Sequence, residues 1–206
     1  EGPQTAEVMR ARGVDRVEDY QRWFTERIRD HLEGRGRRLV GWDEIIDAGP
    51  VPGALVMAWR QARFGVQAAQ LGQEVVMAPQ EATYFDFASS EEPGEPGALR
   101  MGLTGLERVY AFDPTAAMPE ALRGAVLGTQ FQVWTERIPA PREAEYMSFP
   151  RACALAEVAW SPGGGAWDDF QHRLAGAHLP RLDALGVNYR PLDGPRPWQR
   201  LTAPAG

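Results

Sequence analysis

The chain has 206 residues, 44% of them hydrophobic, and Cys153 is its single cysteine. A chain of this length and composition can bury a sizeable core, and one cysteine excludes a disulfide within the chain. The net charge of -6 at pH 7 argues against nucleic acid and anionic membrane surfaces as partners, because both bind clustered positive charge.

Patterns typical of helices and strands alternate along the first part of the chain. Apolar residues recur every three or four positions from Val14 to Leu32, which predicts an amphipathic helix. The short apolar run RRLVGW then predicts a buried strand. A strand, a helix and a strand follow, and we place them at GALVMAW, at residues 61–71 and at EVVMAP.

The second part of the chain begins with a long polar segment, residues 88–106, which is predicted to be a rim loop. A helix is predicted from Asp113 to Ala125, with Pro114 in its first turn, and VLGTQFQVW is predicted to be a fourth strand. Two helices are expected at residues 143–159 and 167–185. An irregular strap is predicted after Tyr189.

The alternation of strands and helices predicts a parallel sheet with helices outside it, which is an α/β fold. No glycine-rich phosphate loop follows any strand, so neither a nucleotide cofactor nor any other cofactor is expected. The three histidines, at positions 31, 172 and 178, lack metal-ligand spacing, so no metal site is predicted. Cys153 lies in an apolar run and is predicted to be a buried, inert thiol.

Aromatic and acidic residues stand where the predicted strands end. In barrels, residues at the carboxyl ends of the strands face the active site, so these residues indicate an aromatic cup with carboxylates at its rim. Such a surface suits the apolar face and the hydroxyl edge of a sugar. The segments concerned are Trp42-Asp43-Glu44, Trp59-Arg60, Tyr84-Phe85-Asp86 and Trp134-Thr135-Glu136.

The carboxylates in these segments allow more than one interpretation. Asp43 and Glu44 could form a glycosidase dyad, but adjacent residues of an extended chain point to opposite faces, so we favour a structural role such as helix capping. Glu136 lies two residues beyond Trp134 and shares its face if the strand continues. Asp86 has the same relation to Tyr84.

Seven motifs, in this order and at this spacing, resemble the second half of the family 20 glycoside hydrolases. The resemblance covers roughly residues 35–190 and implies strands five to eight, the C-terminal half, of a (β/α)8 TIM barrel. Residues 1–190 would then form a partial catalytic domain, and residues 191–206 a Pro-rich tail. The motifs are GWDEII, the Ala58-Trp59-Arg60 step, VVMAPQEATYFD, VYAFDP, VLGTQFQVWTE, YMSFPRACALAEVAWSP and LGVNYRP.

The resemblance implies a β-N-acetylhexosaminidase, which releases terminal N-acetylglucosamine or N-acetylgalactosamine from glycans. In the retaining mechanism of the family, the substrate's own acetamido oxygen attacks the anomeric carbon, so no enzyme nucleophile is needed. Tyr84 would hydrogen-bond that oxygen and is the implied catalytic residue. The tryptophans would clamp the sugar and the carboxylates would bind its hydroxyls. The implied substrate-binding residues are Trp42, Trp59, Asp86, Trp134 and Glu136.

Two family features are missing from these 206 residues, a first-strand Arg that would bind sugar hydroxyls and an Asp-Glu pair. The Asp-Glu pair at the end of the fourth strand, whose Glu is the general acid, has no counterpart, since Asp43-Glu44 matches a different family motif. The isolated chain is therefore predicted to be inactive. Two alternatives stay open: a noncatalytic sugar-binding or structural half-barrel that needs a partner chain, and a different barrel glycosidase that uses Asp43 or Glu44 directly.

The remaining expectations concern assembly and location. A half-barrel leaves open sheet edges and an apolar face, so we expect self-association or pairing with the missing half. No run approaches the roughly 20 apolar residues of a membrane span, which predicts a soluble protein without membrane partners. The chain does not begin with Met, so secretion after loss of an upstream signal stays open and the compartment is not predicted.

Overall fold

The computed structural model describes residues 2–97, 102–161 and 163–200. The chain forms two compact units, and each is built from two stretches of sequence. The first unit comprises Glu1–Met77 and Pro114–Gly128, and the second comprises Ala78–Asp113 and Thr129–Gly206. In the described parts of the chain, no helix is long and apolar enough to cross a bilayer.

The first unit opens with two helices, α1 (Pro3–Ala11) and α2 (Val17–Glu33). The predicted amphipathic helix is confirmed as α2, whose acidic first turn carries Glu18 and Asp19. Carboxylates at this end favour the helix because they face its positive dipole end. The helix ends at Gly34, as the apolar periodicity indicates.

A four-stranded sheet follows, in the order β1-β2-β3-β4. Its strands β1, β2 and β3 are parallel, which confirms the α/β class with a parallel sheet. The helix α3 (Ala62–Gln70) connects β2 to β3 and packs on both strands. The strands are β1 (Val40–Trp42), β2 (Leu55–Ala58), β3 (Glu74–Met77) and β4 (Val126–Thr129).

Close packing of α3 on the sheet depends on Gly65. A Cβ atom on this residue would lie 3.3 Å from the Cβ of Ala58 and closer still to the thioether of Met77. Both neighbours are buried in the sheet. A glycine therefore allows the helix to approach the strands directly.

The second unit is mostly helical, and its core lies between α5 and α7. The buried side chains of this core are Phe85, Val109, Ala154, Leu155, Phe170 and Leu174. A π-helical turn, Leu174–His178, joins α8 to α9. The helices are α4 (Gln80–Thr83), α5 (Leu106–Tyr110), α6 (Pro141–Ser148), α7 (Arg151–Trp160), α8 (Trp167–Arg173) and α9 (Leu179–Ala184).

Two predicted helices are wrong in their extent, and a proline explains each. The helix predicted over residues 143–159 is two helices, because Pro150 has no N–H to donate and Phe149 before it is extended, with φ -103° and ψ 139°. The helix predicted from Asp113 is a turn followed by a 3-10 helix at Glu120–Ala125. Pro119 directly precedes that 3-10 helix and is extended.

The predicted fourth strand is also shorter than expected. It ends at Thr129, and beyond it Gln132 makes an isolated parallel bridge with Tyr84. Trp134 and Glu136 therefore lie on an irregular segment, and the strand on which they were expected to share a face does not continue.

The long polar segment that the sequence predicts as a loop has no helix or strand at residues 88–97 and 102–105, and an isolated bridge joins Ala88 to Leu103. Its remaining residues, 98–101, lie outside the described part of the chain. The tail is irregular over residues 191–200, as predicted, and residues 201–206 lie outside the described part.

Candidate active site

In the first unit, two tryptophans stand at the ends of neighbouring parallel strands. Trp42 is the last residue of β1, and Trp59 directly follows β2. Their ring centroids are 6.5 Å apart and their planes meet at 78°, an edge-to-face arrangement. Both side chains are half-buried, so the two rings form an apolar corner at the carboxyl end of the sheet.

Asp43 fixes the backbone that carries Trp59. Its buried carboxylate accepts the backbone N–H groups of Trp59, at 2.9 Å, and Arg60, at 3.1 Å, and also the Nε of Arg60. Burial raises the pKa of the Asp43 carboxyl, against the opposing effect of the hydrogen bonds from Arg60. The guanidinium of Arg60 reaches a second carboxylate, Asp47, at 2.8 Å.

Glu44 holds the indole ring of Trp59. Both of its carboxylate oxygens lie 3.0 Å from the Nε1 of that ring. The predicted capping role of the Asp43-Glu44 pair is wrong, because the 3-10 helix at Asp43–Ile46 has no side-chain cap hydrogen bond. The pair instead fixes the loop after the next strand, which is a structural role of another kind.

In the second unit, Tyr84 and Trp134 are brought together by a short backbone bridge. The Phe85 N–H donates to the carbonyl of Gln132 at 2.8 Å, and the Gln132 N–H donates to the carbonyl of Thr83 at 2.9 Å. Tyr84 is 7% exposed and its ring centroid lies 6.3 Å from that of Trp134, which is 40% exposed. The pair thus presents one buried and one accessible aromatic ring.

Asp86 adds a carboxylate next to this aromatic pair. Its Oδ1 is buried and has no hydrogen-bond partner among the described residues. Burial raises the pKa of Asp86, and the negative charge of Glu136 adds to that effect, whereas N–H groups of Asp86 itself and of Trp134 oppose it. A buried acceptor without a donor is costly, and no described residue donates to this oxygen.

A family model describing the catalytic domain of glycosyl hydrolase family 20 matches residues 1–163. The chain belongs to glycosyl hydrolase family 20. Six of the seven motifs fall inside the matched range, and only LGVNYRP lies beyond it. The range also includes β1 and β2, at whose ends Trp42 and Trp59 stand.

Characterised members of family 20 are similar over most of the chain. It is 35% identical to a β-hexosaminidase of Porphyromonas gingivalis over 184 residues, which are 88% of this chain and 23% of that protein. It is also 35% identical to a β-N-acetylhexosaminidase of Cellulomonas fimi over 159 residues, which are 75% of this chain and 32% of that protein. The chain thus spans between 23% and 32% of these two relatives.

Solved family 20 structures share the fold. An exo-β-N-acetylglucosaminidase from Vibrio harveyi, in complex with N-acetylglucosamine, superposes with a TM-score of 0.84 and 32% identity, covering 92% of this chain and 30% of that one. The N-acetyl-β-hexosaminidase of Streptomyces plicatus, in complex with Thio-NAglucal, gives a TM-score of 0.76 and 30% identity, covering 87% and 37%.

The family 20 chain places its predicted site residues in two groups. Trp42 and Trp59 lie together in the first unit, and Tyr84, Asp86 and Trp134 lie together in the second. Glu136 is exposed, close enough to Asp86 to raise its pKa.

Sequence reasoning gave Asp43 and Glu44 a structural role but did not identify their partners Trp59 and Arg60, and it missed Gln132 and Arg151 in the second unit. Their partners are distant in the sequence, so periodicity and spacing carried no signal for them. One clue existed, since Arg151 is a charged residue directly before the largely apolar run ACALAEVAW.

The described residues offer neither a metal centre nor a reactive thiolate. Within residues 2–97, 102–161 and 163–200, no three His, Cys, Asp or Glu side chains are grouped as a metal site requires. Burial raises the pKa of the Cys153 thiol to about 11, so the thiolate is scarce at neutral pH.

Proposed function

We propose that the chain contributes sugar-binding residues to a β-N-acetylhexosaminidase, an exo-glycosidase acting on glycans that end in N-acetylglucosamine or N-acetylgalactosamine. The observation that carries the proposal is the second-unit group: an aromatic pair, Tyr84 and Trp134, beside Asp86, whose buried Oδ1 has no donor among the described residues. The similarity to a β-hexosaminidase and a β-N-acetylhexosaminidase supports it.

Each member of the second-unit group has a role in this proposal. The hydroxyl of Tyr84 hydrogen-bonds the acetamido oxygen, orienting it for attack on the anomeric carbon and stabilising the charge that develops there. The accessible ring of Trp134 packs against the apolar face of the sugar. Asp86 accepts a hydrogen bond from a sugar hydroxyl, and Glu136 binds hydroxyls from the solvent side.

The first-unit pair suits the apolar part of the substrate. The rings of Trp42 and Trp59 meet edge to face and form a half-buried apolar corner. This corner fits a small methyl group such as that of the acetamido substituent. The ring of Trp59 is held by Glu44, so the corner is preorganised for binding.

The finer architecture belongs to the same proposal. We place β1–β4 as strands five to eight of a (β/α)8 barrel, with residues 1–190 as part of the catalytic domain and 191–206 as its tail. Support comes from the sequential sheet order, the parallel β1–β3 and the match to 30% of the Vibrio harveyi chain. In a barrel of this kind, Trp42 and Trp59 stand on the face where active sites lie.

The general acid is the part that these residues do not supply. The single Asp-Glu step in the sequence is Asp43-Glu44, and its carboxylates are bound to Trp59 and Arg60. A proton donor must approach within about 3 Å of the glycosidic oxygen, so carboxylates committed in this way are poor candidates. These 206 residues alone should therefore bind sugar without hydrolysing it, and turnover would need an Asp-Glu pair from outside them.

Calorimetry of the 206-residue chain with N-acetylglucosamine thiazoline tests the binding role. Binding is expected, and Trp134→Ala should weaken it about tenfold through loss of the sugar contact. Trp160→Ala is the matched control, since Trp160 is 86% exposed and lies outside both groups. Glucose, which lacks the acetamido group, should bind more weakly. Absence of thiazoline binding to the folded chain would refute the proposal.

A chromogenic N-acetylglucosaminide tests the catalytic part. No turnover is expected from the chain alone, because loss of general-acid help costs roughly 10² to 10⁴ in rate. Hydrolysis that disappears in Glu44→Gln would instead support a glycosidase that uses this carboxylate directly. Turnover that appears only after addition of a protein containing the family's Asp-Glu pair would support the partner-dependent alternative.

A further inference from the structure

Arg151 is a buried cation whose partners are main-chain carbonyls. It is 2% exposed, at the start of α7. Its Nε donates to the carbonyl of Met147, its Nη1 to those of Phe87 at 3.0 Å and Thr104 at 2.9 Å, and its Nη2 to those of Phe85 and Met147. These bonds use all five donors of the guanidinium.

No carboxylate of the described residues forms an ion pair with this arginine. Burial lowers the pKa of Arg151 to about 9, so the group is still charged at neutral pH. The carbonyl dipoles and the face of Phe85, whose centroid is 4.8 Å from the guanidinium carbon, stabilise the charge. Burying an unpaired charge is expensive, and a packing role alone would be served better by an apolar side chain.

The carbonyls that accept hydrogen bonds from Arg151 indicate its role. Phe85 and Phe87 flank Asp86, so the guanidinium binds one carbonyl before that residue and one carbonyl after it. The N–H of Phe85 is bound to Gln132, which fixes the same segment from another direction. Asp86 thus lies between the two carbonyls that Arg151 binds. Tyr84 lies between the two backbone groups that Gln132 binds, the carbonyl of Thr83 and the N–H of Phe85.

We propose that Arg151 is a positioning residue that sets the orientation of Tyr84 and Asp86 by gathering the carbonyls on either side of Asp86 around one buried guanidinium. Its effect on the backbone of this segment stands independently of any ligand. Its effect on sugar binding rests on the function proposed above for Tyr84 and Asp86.

Hydrogen exchange separates local positioning from general stability. The reporters are the backbone N–H groups of Phe85 and Gln132, which donate to the carbonyls of Gln132 and Thr83 respectively. Arg151→Met should speed exchange at both amides about tenfold or more and leave the amides of α3 in the first unit unchanged. Arg151→Lys, which keeps the charge but supplies three donors in place of five, should give an intermediate effect.

The matched control is Arg173→Met in the same unit. Arg173 is an exposed arginine whose partners are side chains, Glu157 and Asp169, so its loss should leave the two reporter amides unaffected. Unchanged exchange at these amides in both Arg151 variants would overturn the proposal. Unfolding of the whole chain by both variants would overturn it too, because the residue would then serve the fold and not the segment.

A spectroscopic signature at Trp134 and sugar affinity complete the test. With 5-fluorotryptophan labelling and the Trp134 resonance assigned from Trp134→Phe, Arg151→Met should shift that resonance and leave those of Trp42 and Trp59 in place. Thiazoline affinity should fall about tenfold or more, because Tyr84 and Asp86 would no longer be held in position for the sugar. If the unmodified chain binds no sugar, the proposed function fails, while exchange and fluorine shifts still decide the role of Arg151.

Discussion

Replacement of Glu44 by Gln tests whether the first-unit corner is preorganised by a charged acceptor. Both carboxylate oxygens lie 3.0 Å from the Nε1 of Trp59, so the indole N–H sits between two equivalent acceptors. The amide of Gln retains one acceptor and places a donor against the same N–H. The substitution keeps the length and shape of the side chain, so any effect arises from the hydrogen bond.

The expected magnitude follows from the kind of hydrogen bond that is lost. A hydrogen bond to a charged group contributes about 1.5 to 3 kcal/mol and a neutral one about 0.5 to 1.5 kcal/mol. Their difference gives a loss of about 1 kcal/mol in the free energy of unfolding, at the lower end because Glu44 is half-buried. Thiazoline affinity should fall as well, since the ring of Trp59 is less restrained.

A double-mutant cycle with Trp59→Phe isolates the interaction, because Phe has no N–H to donate. Urea unfolding of the unmodified chain, the two single variants and the double variant should give a coupling energy of about 1 kcal/mol. The control is Glu74→Gln, at a surface glutamate of the same unit that pairs with Arg38, where less than about 0.5 kcal/mol is expected. A coupling energy near zero would falsify the positioning role of Glu44.

Four other predictions follow from individual contacts. Asp86→Asn should weaken thiazoline binding about tenfold, measured by calorimetry, because the amide offers one acceptor in place of two. Tyr84→Phe, in a catalytically competent protein that includes this chain, should lower kcat by about 10² to 10³ and change KM little. Burial raises the pKa of Glu95, but the hydrogen bonds that it accepts from Arg190, Ser90 and Tyr146 outweigh burial, so the pKa is lowered overall. The free energy of unfolding should therefore decrease as the pH drops below about 4.3, the ordinary pKa of Glu. Glu95→Gln should flatten this dependence in acid unfolding curves. Gly65→Ala should cost about 1 to 3 kcal/mol in urea unfolding, because a Cβ there overlaps the thioether of Met77.

The elements that could be predicted from sequence are those encoded by local pattern. The apolar periodicity of α2 and the short apolar runs of β1 to β3 depend only on neighbouring residues, and the structure has each element where the pattern indicates it. The errors also have local causes. Pro119 and Pro150 stand inside the two helices that were predicted too long, and attention to their missing N–H groups would have corrected both.

The sequence predicts candidate ligand-binding residues but not the contacts that hold them. Aromatic and acidic residues after strands carry a recognisable composition, and the family motifs assign them roles that stay proposals. The supporting contacts connect residues far apart in sequence, such as Glu44 to Trp59 and Arg151 to Phe85, which are 66 positions apart. Only a three-dimensional arrangement reveals them, because nothing in the local sequence of either partner requires the other.

Short strands explain why such contacts are needed. The strands of the sheet have three or four residues, and the site residues beyond them, Trp59 after β2 and the segment from Tyr84 to Asp86, lie outside regular ladders. Backbone groups there need other partners, and a charged side chain that binds several of them at once satisfies more groups per residue than a neutral one. Asp43 and Arg151 each do this, one with carboxylate acceptors and the other with guanidinium donors. Substitutions at these two positions should therefore disturb the orientation of Trp59, Tyr84 and Asp86 before they disturb the sheet.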